Sequence, residues 1–161
     1  MFKVNDYIVY PGCGIGKIVG IEEKDIAGEK VLTYICKLID KNTEFIIPHP
    51  SLNRTKIRPI ISKDTVPKVY KILKETPKKT NFNGSWNKRY KEYTERLKSG
   101  DIFELATLLR ELQEVHKQKP LSFGERKLYK QAKHLLVSEI SLATERPKEE
   151  IEKEVENLLN S

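Results

Sequence analysis

The chain has 161 residues, of which 38% are hydrophobic and 33% charged, with a formal net charge of +7. That length suits one domain or two small ones, the apolar share excludes wholesale disorder, and the charge marks most faces as solvated. No stretch approaches the roughly 20 apolar residues of a membrane span, and the opening run Phe2-Lys3-Val4-Asn5-Asp6 lacks the apolar centre of a signal peptide. A cytoplasmic protein without a membrane partner is therefore expected.

From Asp6 to about Arg58 the pattern is short, β-rich and broken by turns. Strands are expected at Tyr7–Tyr10, Gly16–Ile21, Val31–Ile39 and Glu44–Ile47, with a fifth near Lys56-Ile57-Arg58. Pro11-Gly12, Ala27-Gly28-Glu29 and Asp40-Lys41-Asn42 read as the turns between them, so a strongly bent small barrel is the economical architecture.

From Ser62 the spacing becomes helical. Val66, Val69, Tyr70 and Leu73 make a first apolar stripe, ended by Thr76-Pro77, and Lys78 to Ser85 reads as a loop. A second helix runs from near Trp86 to Ser99-Gly100, where glycine suits a left-handed stop. Asp101 with Glu104, and Ser122 with Glu125, are capping-box patterns opening two long helices. Pro147 opens a last, acidic helix with Ile151, Val155 and Leu158 inward, and its residues Glu149 to Ser161 are candidates for fraying. The fold class is thus α+β, with a β-barrel over 1–61 and a compact all-helical domain over 62–161.

Catalytic signals fail for definite reasons. Gly12-Cys13-Gly14-Ile15-Gly16-Lys17 has the look of a phosphate loop, yet Pro11 replaces its first glycine, Ile18 replaces the magnesium-binding hydroxyl, and the loop joins strands instead of opening a helix. Its glycines are expected to permit tight bends. Cys13 and Cys36 are isolated, and His49, His116 and His134 are scattered without carboxylate or thiol partners. No enzyme, metal or cofactor is expected.

Binding signals are stronger. The basic surplus lies in residues 62–133, whereas residues 134–161 are acidic. Within the basic part stands the single tryptophan, Trp86, followed by Asn87-Lys88-Arg89-Tyr90-Lys91. A flat ring beside three cations suits a side chain that presses on bases while its neighbours hold phosphates. The competing reading makes Trp86 an anchor of its helix on a small core.

The succession of Phe2-Lys3-Val4-Asn5-Asp6, Tyr10-Pro11-Gly12, Ile46-Ile47-Pro48, Trp86-Asn87-Lys88-Arg89-Tyr90, Lys98-Ser99-Gly100-Asp101 and Leu121-Ser122-Phe123-Gly124-Glu125-Arg126-Lys127 resembles the bacterial CarD/CdnL family of RNA-polymerase-binding transcription factors. The resemblance implies a Tudor-like barrel that binds the RNA polymerase β subunit, and a helical domain that binds promoter DNA at the upstream edge of the transcription bubble with little base specificity. Carried over by position, Trp86 is a minor-groove wedge. Lys88, Arg89, Lys91 and Arg126 are phosphate contacts, with Lys127 and Lys130 as extensions of the patch or as ordinary solvated lysines. Lys24, Ile46 and Pro48 match the polymerase-facing positions, with Ile46 alternatively a barrel core residue. A monomer is expected. Two other classes stay open on the residues alone: a small-barrel module for RNA or ribosomes, and an adaptor whose positive charge serves solubility.

Overall fold

The computed structural model describes residues 2–75 and 86–160. Contacts part the chain into two units, Met1–Ile60 and Ile61–Ser161. The expected stop at Thr76-Pro77 and the loop Lys78 to Ser85 lie outside the described residues.

The first unit is a five-stranded antiparallel sheet in the order β4-β3-β2-β1-β5. Its strands are β1 (Tyr7–Tyr10), β2 (Gly14–Ile26), β3 (Glu29–Leu38), β4 (Glu44–Pro48) and β5 (Arg58–Pro59). It curves around one core of Ile8, Ile18, Tyr34, Cys36, Ile47 and Ile57, with Phe2, Tyr10 and Phe45 packed at its side. This is the small, strongly bent sheet that the β-branched, alternating segments call for, and it agrees with the Tudor-like barrel that the resemblance implies. The β2–β3 hairpin is longer than the apolar run suggests, because Ala27 and Gly28, at φ +53° and +83°, close a two-residue turn. Positive φ at both central residues matches the twist of the flanking strands, so pairing continues to Ile26 and Glu29.

Two local features shape the sheet. A bulge between Ile18 and Gly20 shifts the β2 register by one residue, which reverses the face that later side chains take. Gly16 sits where a β-carbon would lie 2.3 Å from Cys36 Sγ, so β2 and β3 meet there only because the side chain is missing. Burial pushes the Cys36 thiol up to about 11. The fifth strand forms at Arg58–Pro59 instead of Lys56–Arg58, because Lys56 takes a left-handed conformation (φ +56°) that closes the short helix α1 (Leu52–Thr55), and Ile57 turns into the core.

The second unit contains α2 (Val66–Lys74), α3 (Trp86–Lys98), α4 (Ile102–Gln118), α5 (Phe123–Thr144) and α6 (Lys148–Leu159). Helix α4 is central and packs on the other four through Ile102, Leu105, Leu108, Leu109 and Leu112. The capping box at Ser122 is complete: its hydroxyl accepts from Glu125 N–H at 3.2 Å, and Glu125 Oε1 accepts from Ser122 N–H at 3.0 Å. At α4 only half of the expected box forms. Asp101 Oδ1 accepts from Phe103 N–H at 2.9 Å, while Glu104 turns away to Arg96 on α3, 3.1 Å from its Nε.

Helix α6 is regular through Leu159, and Leu159, not Leu158, is its last fully buried residue. The cause is Arg110, 3% exposed on α4, whose Nη1 donates to Leu73 O at 3.0 Å and Leu159 O at 3.1 Å. One guanidinium thus serves the last carbonyls of both α2 and α6, while its Nη2 meets Glu114 at 2.5 Å. Asn160 Oδ1 accepts from Gln113 Nε2 at 3.0 Å beside it.

Candidate functional site

Helix α3 begins at Trp86, and the spacing of 3.6 residues per turn puts Arg89, Tyr90 and Tyr93 on the same side. Tyr93 is buried in the core, and desolvation, followed by Glu111, pushes its phenol above the ordinary range. Trp86, one helical turn before Tyr90, is half-buried. Its ring lies 5.6 Å from that of Tyr90 and 5.6 Å from the Arg89 guanidinium carbon. The Arg89 Nε is buried without a hydrogen-bond partner among the described residues, and the guanidinium lies against the ring, only half-exposed.

The other wall of the site is the start of α5. A β-carbon at Gly124 would lie 2.9 Å from Trp86 Cζ2 and 3.8 Å from Tyr90 Cε2. The bare backbone of α5 is therefore the seat of the indole. The preceding residue, Phe123, is 78% exposed, and Tyr90 is also exposed. Phe123, Arg126, Lys127 and Lys130 follow at the spacing of one helical face, and all four are exposed. On α3, Lys88 and Lys91 are exposed as well.

The cations of this unit fall into two groups. Arg96 on α3 is ion-paired to Glu104 and Glu111 on α4, and Lys133 on α5 to Glu152 and Glu156 on α6, while Arg146 in the α5–α6 turn is held to Glu150 and Glu154 on α6. Burial opposes the charge of Lys133, yet bonds from Glu156 and Glu152 hold its pKa above the ordinary lysine range. Lys91, Arg126, Lys127 and Lys130 point to solvent and make no ion pair among the described residues. Their charge is available to a polyanion.

The structure thus brings Trp86, Arg89 and the start of α5 together, and sets Arg126, Lys127 and Lys130 along the helix that leads away. Sequence reasoning missed the contribution of Gly124 and Phe123 as functional candidates. The signal was present: a glycine inside a capping box, where helix propensity disfavours it, points to a close approach.

The barrel carries a separate candidate surface. Across the sheet Lys24 opposes Val31, Thr33 opposes both Glu22 and Pro48, and Ile35 opposes both Gly20 and Ile46. Successive side chains alternate in a strand, so Lys24, Ile46 and Pro48 share the face opposite the core. Ile46 is 57% exposed, which removes it from the barrel core. It stands on β4, which is the edge of the sheet and pairs only with β3 among the described residues. Lys24 Nζ lies 3.9 Å from Glu22, its neighbour on that face.

Among the described residues no group of three or more His, Cys, Asp or Glu side chains could hold a metal ion, and no helix is long and apolar enough to cross a membrane.

Residues 2–61 match the CarD-like/TRCF RID domain, and residues 68–156 match the C-terminal domain of CarD. The chain is 32% identical over 142 residues to YdeB of Bacillus subtilis (strain 168), which is named provisionally as a transcription factor; the match spans 88% of this chain and 92% of YdeB. The two family matches meet the two structural units in order, barrel first and helices second, and the family is one of transcription factors that interact with RNA polymerase. This chain belongs to the CarD family of transcription regulators.

Proposed function

We propose that this protein binds the RNA polymerase β subunit through the outer face of its barrel and promoter DNA through its helical unit, and so stabilises the open complex. The observation that carries the reading is the seating of Trp86 on Gly124 at the head of a basic row, Arg126, Lys127 and Lys130, that makes no ion pair among the described residues. A half-buried indole held from behind by Arg89 and Tyr90 is pre-oriented, which lowers the entropy lost on entering a groove. Lys88, Lys91, Arg126, Lys127 and Lys130 then bind phosphates on either side, and Trp86 wedges into the distorted minor groove. A wedge reads deformability more than base edges, so little base specificity is expected. On the barrel, Ile46 and Pro48 offer a packed apolar contact and the β4 edge offers a strand template, with Lys24 at the rim.

The test combines three variants of the full chain. Trp86→Ala is expected to shorten open-complex lifetime while lowering the melting temperature by only a few degrees, because the ring is half-buried and not part of the core. Lys91→Glu with Arg126→Glu should weaken duplex binding and reduce the slope of log affinity against log salt by roughly one for each phosphate no longer held. Ile46→Glu should abolish capture by β while leaving duplex affinity intact. Unchanged lifetime in the first variant, at equal folded fraction, sinks the wedge.

A further inference from the structure

We infer that Phe123 is a second base-contacting side chain, entering the opened edge of the duplex beside Trp86; this rests on the DNA reading above and adds a residue to it. Phe123 is the most exposed large apolar side chain of the described residues, at 78%. Isolated exposed hydrophobics are ordinary, so exposure alone decides nothing. Its position does. It is the first residue of α5, and the chain on both sides is fixed by the reciprocal bonds of Ser122 and Glu125. The next residue, Gly124, is the seat of the Trp86 ring, with a hypothetical β-carbon 2.9 Å from Cζ2. Phe123 therefore leaves the backbone one residue from the wedge, on a rigid mount.

The surroundings select the partner. Arg126, Lys127 and Lys130 continue the helical face that Phe123 begins. A protein groove that accepted Phe123 would have to accept these cations together with it. Nucleic acid supplies both surfaces in one molecule, with phosphates for the row and a π-face or an unstacked step for the ring. Phenylalanine is among the apolar side chains that minor-groove proteins insert between base steps. With Trp86 at the head of α3 and Phe123 at the head of α5, two rings enter at neighbouring points while the charges grip the backbone leading away from them.

Full-length Phe123→Ala, Phe123→Leu, Arg126→Ala and Trp86→Ala proteins, a promoter duplex with a pre-opened upstream bubble edge, and polymerase open complexes separate the possibilities. Phe123→Ala should lower duplex affinity and open-complex lifetime about five- to tenfold, with Phe123→Leu restoring part of the loss. The line of log affinity against log salt should shift in parallel, because no charge is removed, whereas Arg126→Ala should flatten it. The melting temperature of Phe123→Ala should equal that of the parent. Parental affinity and lifetime for Phe123→Ala, beside a loss for Trp86→Ala, overturns this inference and leaves the wedge standing. No loss for either variant removes the wedge reading and this one with it. Weakened polymerase capture with unchanged duplex affinity makes Phe123 a protein contact and also overturns the inference.

Discussion

The indole of Trp86 and the backbone of Gly124 lie so close that a β-carbon on Gly124 would come within 2.9 Å of the ring. The indole is therefore positioned by an absence of side chain on a different helix, and the two helices it joins are separated in sequence by all of α4. Gly124→Ala should displace the ring instead of unfolding the unit. Alanine gains helix propensity while the clash costs a comparable amount, so stability should change by less than about 1 kcal/mol. Because Trp86 is the only tryptophan, its emission maximum reports the displacement directly, and a red shift is expected. An unchanged spectrum would mean that α5 yields and the ring does not.

A second close approach governs the barrel. Gly16→Ala would drive a methyl into Cys36 Sγ, with a built separation of 2.3 Å. A loss of about 1–3 kcal/mol is expected, read by urea titration of the full chain. Cys36→Ala in the same chain should return part of it, since the two sites share one volume.

Arg110 is expected to be the most sensitive polar position of the helical unit. Arg110→Met removes the donor to Leu73 O and Leu159 O and leaves Glu114, 2.5 Å from Nη2, with only the half-exposed Lys117 at 3.3 Å. The cost should be about 3 kcal/mol, seen as a lower urea midpoint. Arg110→Lys should rescue little, because an ammonium cannot reproduce the planar fork.

Glu154 gives the unit an acid limit. Its carboxylate accepts from Arg146 Nη2 at 2.6 Å and from Tyr70 O–H at 2.7 Å, and these bonds hold its pKa below the ordinary carboxylate range. A depressed folded-state pKa contributes stability that is present above the unfolded value and is lost as pH falls through the folded one. Melting temperatures of the parent and Tyr70→Phe should differ most near neutrality and converge as pH drops below the carboxylate range. A constant gap would mean that Glu154 is not the group responsible.

Much of this was legible because each element signals itself locally. The alternation in Val31–Leu38, the turn signal at Ala27-Gly28-Glu29 and the Ser122/Glu125 box each announce an element within a few residues. What stayed hidden depends on partners distant in sequence. Glu104 satisfies the spacing of a capping box, but Arg96 competes successfully with the backbone for its carboxylate. Leu158 and Leu159 are equivalent by periodicity, and only the packing of α6 selects Leu159. Ile46 reads as a barrel residue in either orientation, and its face is set by the register with Ile35. The seat of Trp86 depends on Gly124, which lies beyond the whole of α4 in the chain.

Arg110 also sets an order of events during synthesis. Its acceptors are the carbonyls that end α2, made before it, and those that end α6, made after it. While α6 is still inside the ribosome, the guanidinium has only Leu73 and Glu114 to satisfy it, and the apolar faces awaiting Ile151, Val155 and Leu159 are open to water. The helical unit therefore locks only when α6 emerges, whereas the barrel, whose described strands are complete by Pro59, is free to fold long before.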